Sequence, residues 1–404
     1  MKTRVALLRG ANLNDPELAS YQPLLDRFSF SFFCNARGAL PIRSANIKAQ
    51  PLWYGDDFIR LLPSKLRNRA RLTALRLFGA FDSPLRMSAI CQNHDILHTA
   101  ETFSGYSLKA VELKRQFNHK VILTVWENIP FLYENIPTTP FGRKLAQAKA
   151  IVRQSADHFL VASQTARMAL ELEGVEPERI TYIGTAVSLE NFQPRPKTYQ
   201  LHRKLNIAPD STIILFAGRL VWEKGVFDLL EAFTLLHRSS QLEKDVHLLY
   251  NGNPYERDRL MFECRRLGLQ ERVHFLEGKA YANANQMPGL YNDVDVLVLP
   301  SLPTRFWMEQ FGIVLIEAMA SGIPVLGSSS GAIPEVIGDA GVVFPAHDIQ
   351  ALASALSRLL KSPQMRQQLA ERGRQRCETF FSPQSVSNRI SGAYDRVMCG
   401  QISN

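Results

Sequence analysis

Short apolar runs alternate with helical patterns along this chain, and the alternation starts afresh halfway. In the first half the runs read as strands at Arg4–Leu8, Phe28–Phe33, Asp95–Thr99, Lys120–Val125, His158–Ala162 and Ile180–Ile183. Helical periodicity fills several gaps, as at Tyr106–Phe117 and Arg143–Ser155. The stretch NFQPRPKTYQ (191–200) has two prolines and no periodicity, so it reads as a linker. Beyond it, strands are expected at Ile213–Ala217, His247–Tyr250, Val273–Leu276, Val296–Leu299, Pro324–Gly327 and Gly341–Phe344. Helices are expected at Val226–His237, Glu256–Leu267, Gly312–Ala320, Ile349–Lys361 and Pro363–Glu378, with a Ser-Pro start to another at Ser382 and Pro383. Strands that alternate with helices build parallel sheets. The chain has 404 residues, more than one core organises well. The expected fold is therefore α/β, with two doubly wound domains: 1–193 and 201–382, joined by the linker 194–200. In such sheets ligands bind beyond the carboxyl ends of the strands, so a cleft between the domains is the expected site.

Composition removes several function classes. The five cysteines are odd in number and scattered, with no Cys-x-x-Cys pair, so neither a zinc site nor a disulfide framework is indicated. The opening MKTRVALLRG has too short an apolar stretch for a signal peptide, and no run of about 18 apolar residues exists. A cytoplasmic protein is expected. The net charge of +9 lies wholly in residues 1–200, with 26 basic and 17 acidic residues, against 21 and 21 in the rest. Its densest stretch is 60–81, where Lys65, Arg67, Arg69, Arg71 and Arg76 interleave with Leu66, Leu72, Leu75, Leu77 and Phe78. A helix of that kind can lie on an anionic membrane surface, which would make the protein peripheral on the inner face; the plainer reading is a solvated helix face. Nucleic acid is not an expected partner, because no known binding module accompanies the charge.

Two segments carry the chemistry. FAGRLVWEKG sets Arg219 and Lys224 five residues apart in the loop after a strand, with Gly218 and Gly225 allowing tight turns. EQFGIVLIEAMASG places Glu309 ahead of an expected helix that opens at Gly312, and Glu317 inside it. Cations and a helix N-terminus suit a diphosphate. Carboxylates accept hydrogen bonds from hydroxyls. Glu317 interrupts the apolar run IVLI-EAMA, so it calls for a polar partner, which a ribose diol would supply. The set suits a nucleoside diphosphate joined to a sugar. Cations at the diphosphate stabilise a leaving group that gains charge as its bond to the sugar breaks.

GRLVWEKG, YNDVDVLVLPS, EQFGIVLIEAMASGIPV and SGAIPEVIGDAGVVFP, taken in order, resemble the family-4 glycosyltransferases, which have the GT-B fold of two Rossmann-like domains facing across a cleft. The match is specific over 211–345 and looser over 94–193. The resemblance implies a retaining transfer of sugar from a nucleotide-diphosphate donor to an acceptor hydroxyl. Arg219 and Lys224 would neutralise the diphosphate, Glu309 would bind donor-sugar hydroxyls, and Glu317 the ribose. Phe311, Gly312 and Ile313 would contact phosphates and sugar, and Gly278 and Lys279 would border the base. No cofactor and no metal are expected, and the terminal helix, 383–404, would cross back onto the first domain. The Asp-x-Asp at Asp293 and Asp295 leads into a strand and is not read as a metal site. The acceptor would be a lipid or glycan bound by the first domain.

The chain departs from the family in its first half. A histidine is common after the strand Lys120–Val125, where this chain has Trp126, Glu127 and Asn128. Glu127 is the candidate to replace it, with Trp126 beside it and His98 as the other histidine. The glycine-rich loop after the first strand is reduced to Gly10. Two rival functions follow: a nucleotide-sugar epimerase or hydrolase on the same fold, or a degenerate sugar-nucleotide binder.

Overall fold

The computed structural model describes residues 2–36, 47–78, 84–132, 140–239, 245–276 and 287–400. It divides into two compact units: Met1–Ala186 together with Pro383–Asn404, and Val187–Ser382.

The first unit is built on a seven-stranded sheet. Its strands are β1 (Arg4–Leu8), β2 (Ser29–Asn35), β3 (Ala49–Leu52), β4 (Ile96–Ala100), β5 (Lys120–Val125), β6 (His158–Val161) and β7 (Ile180–Tyr182). They stand in the order β3-β2-β1-β4-β5-β6-β7, and each neighbouring pair is parallel. Both faces are buried, which is why the strands read as nearly continuous apolar runs. Ala6, Leu8, Leu97 and Leu123 share one apolar cluster with Ala110 and Val111 of the helix Gly105–Phe117. Val5, Leu7, Ile96 and Ile122 share the other with Ile390 and Tyr394 of the helix Pro383–Cys399. β3 was not expected. Its sequence, AQPL, has no β-branched residue and carries Pro51, which only an edge position tolerates.

The second unit holds a six-stranded sheet in the order β10-β9-β8-β11-β12-β13. The strands are β8 (Thr212–Ala217), β9 (Val246–Asn251), β10 (Val273–Phe275), β11 (Val296–Leu299), β12 (Val325–Ser328) and β13 (Val342–Phe344), again all parallel. Ile214, Phe216, Leu248, Val296 and Val298 pack with Leu229 and Phe233 of the helix Val226–Arg238 and with Leu352 and Leu356 of the helix Ile349–Lys361. The helix expected to reach Glu378 ends at Arg376, and a π-helical turn, Cys377–Phe381, follows. In both sheets the strand order reverses beside the first strand, between β1 and β4 and between β8 and β11. A doubly wound sheet opens a crevice for ligands at that reversal.

Candidate functional site

In the second unit Gly218, Arg219 and Lys224 follow β8, and Glu309 and Gly312 follow β11, at the reversal between those two strands. Gly218 follows β8 directly, and its amide donates to the Asn251 carbonyl at 2.9 Å, tying the ends of β8 and β9 together. Arg219 is exposed; its carbonyl accepts from Val221 N at 2.9 Å, and its side chain makes no hydrogen bond or ion pair among the described residues. Lys224 closes a short turn, Trp222–Lys224. Gly225 then adopts φ +70°, and a Cβ there would stand 1.9 Å from the Pro300 carbonyl oxygen. The turn is thus pressed onto the chain leaving β11.

That contact brings Lys224 to Glu309. Lys224 Nζ donates to Glu309 Oε2 at 2.7 Å, and Ser301 Oγ donates to the same oxygen at 2.6 Å. Lys224 Nζ also lies 4.8 Å from the centre of the Trp307 ring. The Glu309 backbone is fixed as well: its carbonyl accepts from Ala332 N at 3.0 Å, and its amide donates to Ser330 Oγ at 3.4 Å. Gly331, at φ +54°, runs so close that a Cβ would meet the Glu309 carbonyl oxygen at 2.0 Å. Ser301, Trp307, Ser330 and Gly331 were not anticipated. Ser301 ends the run VLVLPS, and a hydroxyl just past a buried strand is the one local signal that could have found it.

Gly312 caps the helix Ile313–Ala320 at φ +84°. The first amides of a helix have no partner within it and carry its positive end. Ile313 at this end is exposed, while Phe311 is buried and meets the Phe381 ring edge-on. Glu317 lies one turn further in and is buried, accepting from Tyr291 Oη at 3.0 Å. Burial pushes its carboxyl up to about 7, although the Tyr291 hydrogen bond opposes this. Gly278 and Lys279 lie outside the described residues.

The Asp-x-Asp pair is a fastener. Asp293 accepts from the amides of Thr198, Tyr199 and Leu201, and Asp295 accepts from Lys197 Nζ at 2.7 Å and from Ile213 N at 2.9 Å. Among the described residues no group of three His, Cys, Asp or Glu side chains is placed to hold a metal ion.

The first-unit candidates have structural partners. His98 is wholly buried, with Nδ1 2.6 Å from Tyr394 Oη and Nε2 2.8 Å from Thr124 Oγ1. Burial and the nearby Arg9 hold its pKa well below the ordinary histidine value, so it is neutral. Arg9, which sequence reasoning passed over, is buried; it donates to the Thr99 carbonyl, Tyr21 Oη and Thr124 Oγ1, pairs with Glu17, and lies over Trp126. Gly10 follows it at φ +57°. Glu127 is buried against Lys149, its Oε2 2.9 Å from Nζ. Lys149 also lies 3.6 Å from Glu173, which pairs with Arg153 at 3.1 Å. The carboxylate expected to stand in for a histidine is therefore held in a buried ion-pair cluster.

Residues 198–376 match the family model described as "Glycosyl transferases group 1". Over 259 residues the chain is 32% identical to the MMP alpha-(1->4)-mannosyltransferase of Mycolicibacterium hassiacum, covering 62% of this chain and 56% of that one. A D-inositol 3-phosphate glycosyltransferase of Streptomyces bingchenggensis is 29% identical over 215 residues, covering 51% and 46%. The chain thus spans about half the length of these curated relatives. Among solved structures, sucrose-phosphate synthase from Thermosynechococcus elongatus aligns with a TM-score of 0.72 at 20% identity, covering 99% of this chain and 100% of that one. HepE from Anabaena, solved in complex with UDP, aligns at 0.71 and 16% identity, covering 97% and 99%. These two likenesses are of fold, and the fold is GT-B.

Proposed function

We propose that the chain is a retaining glycosyltransferase using a nucleotide-diphosphate sugar, a reading supported by the match of residues 198–376 to the group 1 glycosyl transferase model. The observation that carries this reading is the Lys224–Glu309–Ser301 cluster beside the helix that opens at Gly312. Arg219, Lys224 and the helix N-terminus neutralise the diphosphate, Glu309 accepts hydroxyls of the donor sugar, and Glu317 accepts from the ribose. The bond from the anomeric carbon to the diphosphate oxygen breaks, the acceptor oxygen bonds to that carbon on the same face, and the acceptor's proton passes to the departing diphosphate. Charge developing on the leaving oxygen is met by cations already in place, so they stabilise the transition state more than the ground state.

The test is a thermal-shift panel of UDP, GDP and ADP on wild type and on the Arg219→Ala, Lys224→Ala double variant. A ligand that binds only the folded state raises Tm by mass action. A shift with one diphosphate that the double variant loses supports the reading. An equal shift in both proteins overturns the assigned donor site.

The proposed acceptor is lipid-borne. Trp53, Phe58, Leu61 and Leu66 are 41%, 48%, 54% and 48% exposed, and Lys65, Arg67 and Arg69 are exposed beside them. Apolar side chains among cations favour an anionic bilayer surface. Phe78 closes the helix that begins at Ser64, and residues 79–81 of the basic stretch lie outside the described residues. Among the described residues no helix is long and apolar enough to cross a membrane. Flotation with vesicles containing anionic lipid, lost on Leu61→Asp with Arg67→Glu, supports a lipid acceptor. Without flotation, a soluble polyol or sugar phosphate becomes the acceptor, a class that the inositol-phosphate relatives bring with them.

A further inference from the structure

The first sheet has its own reversal, between β1 and β4, and the proposed transferase leaves that crevice without a named residue. Glu101 follows β4 there. Its backbone is left-handed at φ +60°, a conformation uncommon for a residue with a side chain and one that functional sites often hold. It is held in place twice: its amide donates to the Thr124 carbonyl at 2.9 Å, and its Oε1 accepts from Trp126 N at 3.0 Å. Its second oxygen, Oε2, is buried and has no hydrogen-bond partner among the described residues. Two more buried oxygens at the same edge of the sheet share that condition: Oγ1 of Thr102, the next residue, and Oδ1 of Asn35, which ends β2. Thr102 is 1% exposed and Asn35 is 5% exposed. Buried polar atoms normally have a partner, so three unmatched oxygens at one sheet edge call for an explanation.

The charge balance around Glu101 fixes its state. The groups that face it are Glu127 and Lys149, and Lys149 is shared with Glu173, which Arg153 also pairs. Two cations offset two carboxylates, and no cation remains for a third. Burial, then Glu127, push the Glu101 carboxyl up to about 8, against the opposing amides of Trp126 and Glu127 and the Lys149 charge. With Oε1 accepting from the backbone, the proton belongs on Oε2.

We propose that Glu101 is a neutral carboxylic acid that donates from Oε2 to a hydroxyl oxygen of the sugar or polyol substrate, in a polar floor shared with Asn35 and Thr102. The inference rests on the transferase reading for its substrate class. A protonated glutamate is matched in shape by glutamine, whose carbonyl can face Trp126 N while its amide donates outward.

Two measurements on the full chain test this. The first needs no ligand. The raised value means that the protonated form stabilises the fold fully below the ordinary carboxylate range, and that this stabilisation is lost as pH rises through about 8. Glu101→Gln removes the titration, so its Tm should gain on wild type across that window. A Tm difference that stays flat with pH overturns the proposal. The second measures transfer from UDP- and GDP-linked glucose and mannose to myo-inositol, mannose and glucose as probes. Glu101→Ala should raise the KM for the probe about tenfold, the loss expected for one buried hydrogen bond, while Glu101→Gln stays near wild type. The wild-type rate should fall above about pH 8, and Glu101→Gln should lack that limb. Glutamine behaving as alanine does, or keeping the alkaline limb, overturns the proposal. Failure of the transferase reading would show separately, as no transfer by the wild type from any of these donors, while the pH dependence of the Tm difference still reads Glu101.

Discussion

The Lys224 ammonium and the Glu309 carboxylate, 85 residues apart in sequence, form a 2.7 Å ion pair at the mouth of the second sheet. Their side chains are only 14% and 8% exposed, so neither charge is well solvated without the other. Lys224→Ala strands a mostly buried carboxylate as well as removing the proposed diphosphate contact. It should cost about 1–3 kcal/mol of stability and slow transfer roughly 10²–10³-fold. Glu309→Gln keeps an acceptor for Lys224 and Ser301, so it should lose rate with little loss of Tm. Thermal melts run beside kcat measurements check both.

Arg219 should behave differently. Its side chain is exposed and unengaged among the described residues, so Arg219→Ala should change stability by no more than about 0.5 kcal/mol. Diphosphate affinity should nonetheless fall by about tenfold to a hundredfold, the loss expected when one or two charged hydrogen bonds go. Titration calorimetry with the diphosphate and with the bare nucleoside separates the effects, because the nucleoside should bind both proteins equally.

Glu317 predicts a pH dependence. Its carboxyl is raised from 4.5 to about 7, so its contribution to stability is complete below 4.5 and is lost as pH rises through about 7. Glu317→Gln should therefore gain Tm relative to wild type over that interval and hold the gain above it. A ribose diol donating to Glu317 favours the carboxylate. Nucleotide binding near neutral pH should then release a proton, visible as a buffer-dependent binding enthalpy that Glu317→Gln abolishes.

Gly331→Ala should disturb the site from behind. The new methyl would sit 2.0 Å from the Glu309 carbonyl oxygen, on a backbone at φ +54°. The backbone strain alone is worth about 1–3 kcal/mol, and the clash adds to it. Relief by moving Glu309 would break its contacts with Lys224 and Ser301, so transfer should fall further than stability. Comparing kcat at a temperature where the variant is still folded distinguishes the two.

Tyr394→Phe is the converse case. It removes the hydroxyl 2.6 Å from His98 Nδ1 and leaves a buried imidazole nitrogen unmatched. A cost of about 1–3 kcal/mol is expected, with diphosphate affinity unchanged, since both residues lie in the first unit.

The second unit was the more legible half because its chemistry is contiguous. Arg219 and Lys224 share a loop, and Glu309, Gly312 and Glu317 share a segment, so spacing alone placed them at one end of a sheet. The clamps on Glu309 were not legible: Ser301 and Ser330 reach it only because β11 and β12 are neighbours. In the first unit the signals are long-range. Arg9 has no local signal beside a lone glycine, yet it is a buried hub whose side-chain partners lie up to 115 residues away. Glu127 reads as the candidate to replace the histidine, and nothing local shows that Lys149, six residues before the end of the helix Pro140–Ser155, pairs with it. Glu101 drew no notice at all, since an acid after a strand is ordinary until its neighbours' charges are counted.

The helix Pro383–Cys399 belongs to the first unit although the second unit intervenes in the chain. The order of synthesis is therefore not the order of completion. When Ser382 leaves the ribosome the second unit has every residue it needs, whereas the first still lacks Ile390 and Tyr394 from the apolar cluster that backs β1 and β4. The half begun first is the last to be sealed. A nascent chain halted just short of Pro383 would carry a complete second unit joined to a first unit whose apolar cluster still lacks Val386, Ile390, Ala393, Tyr394 and Val397.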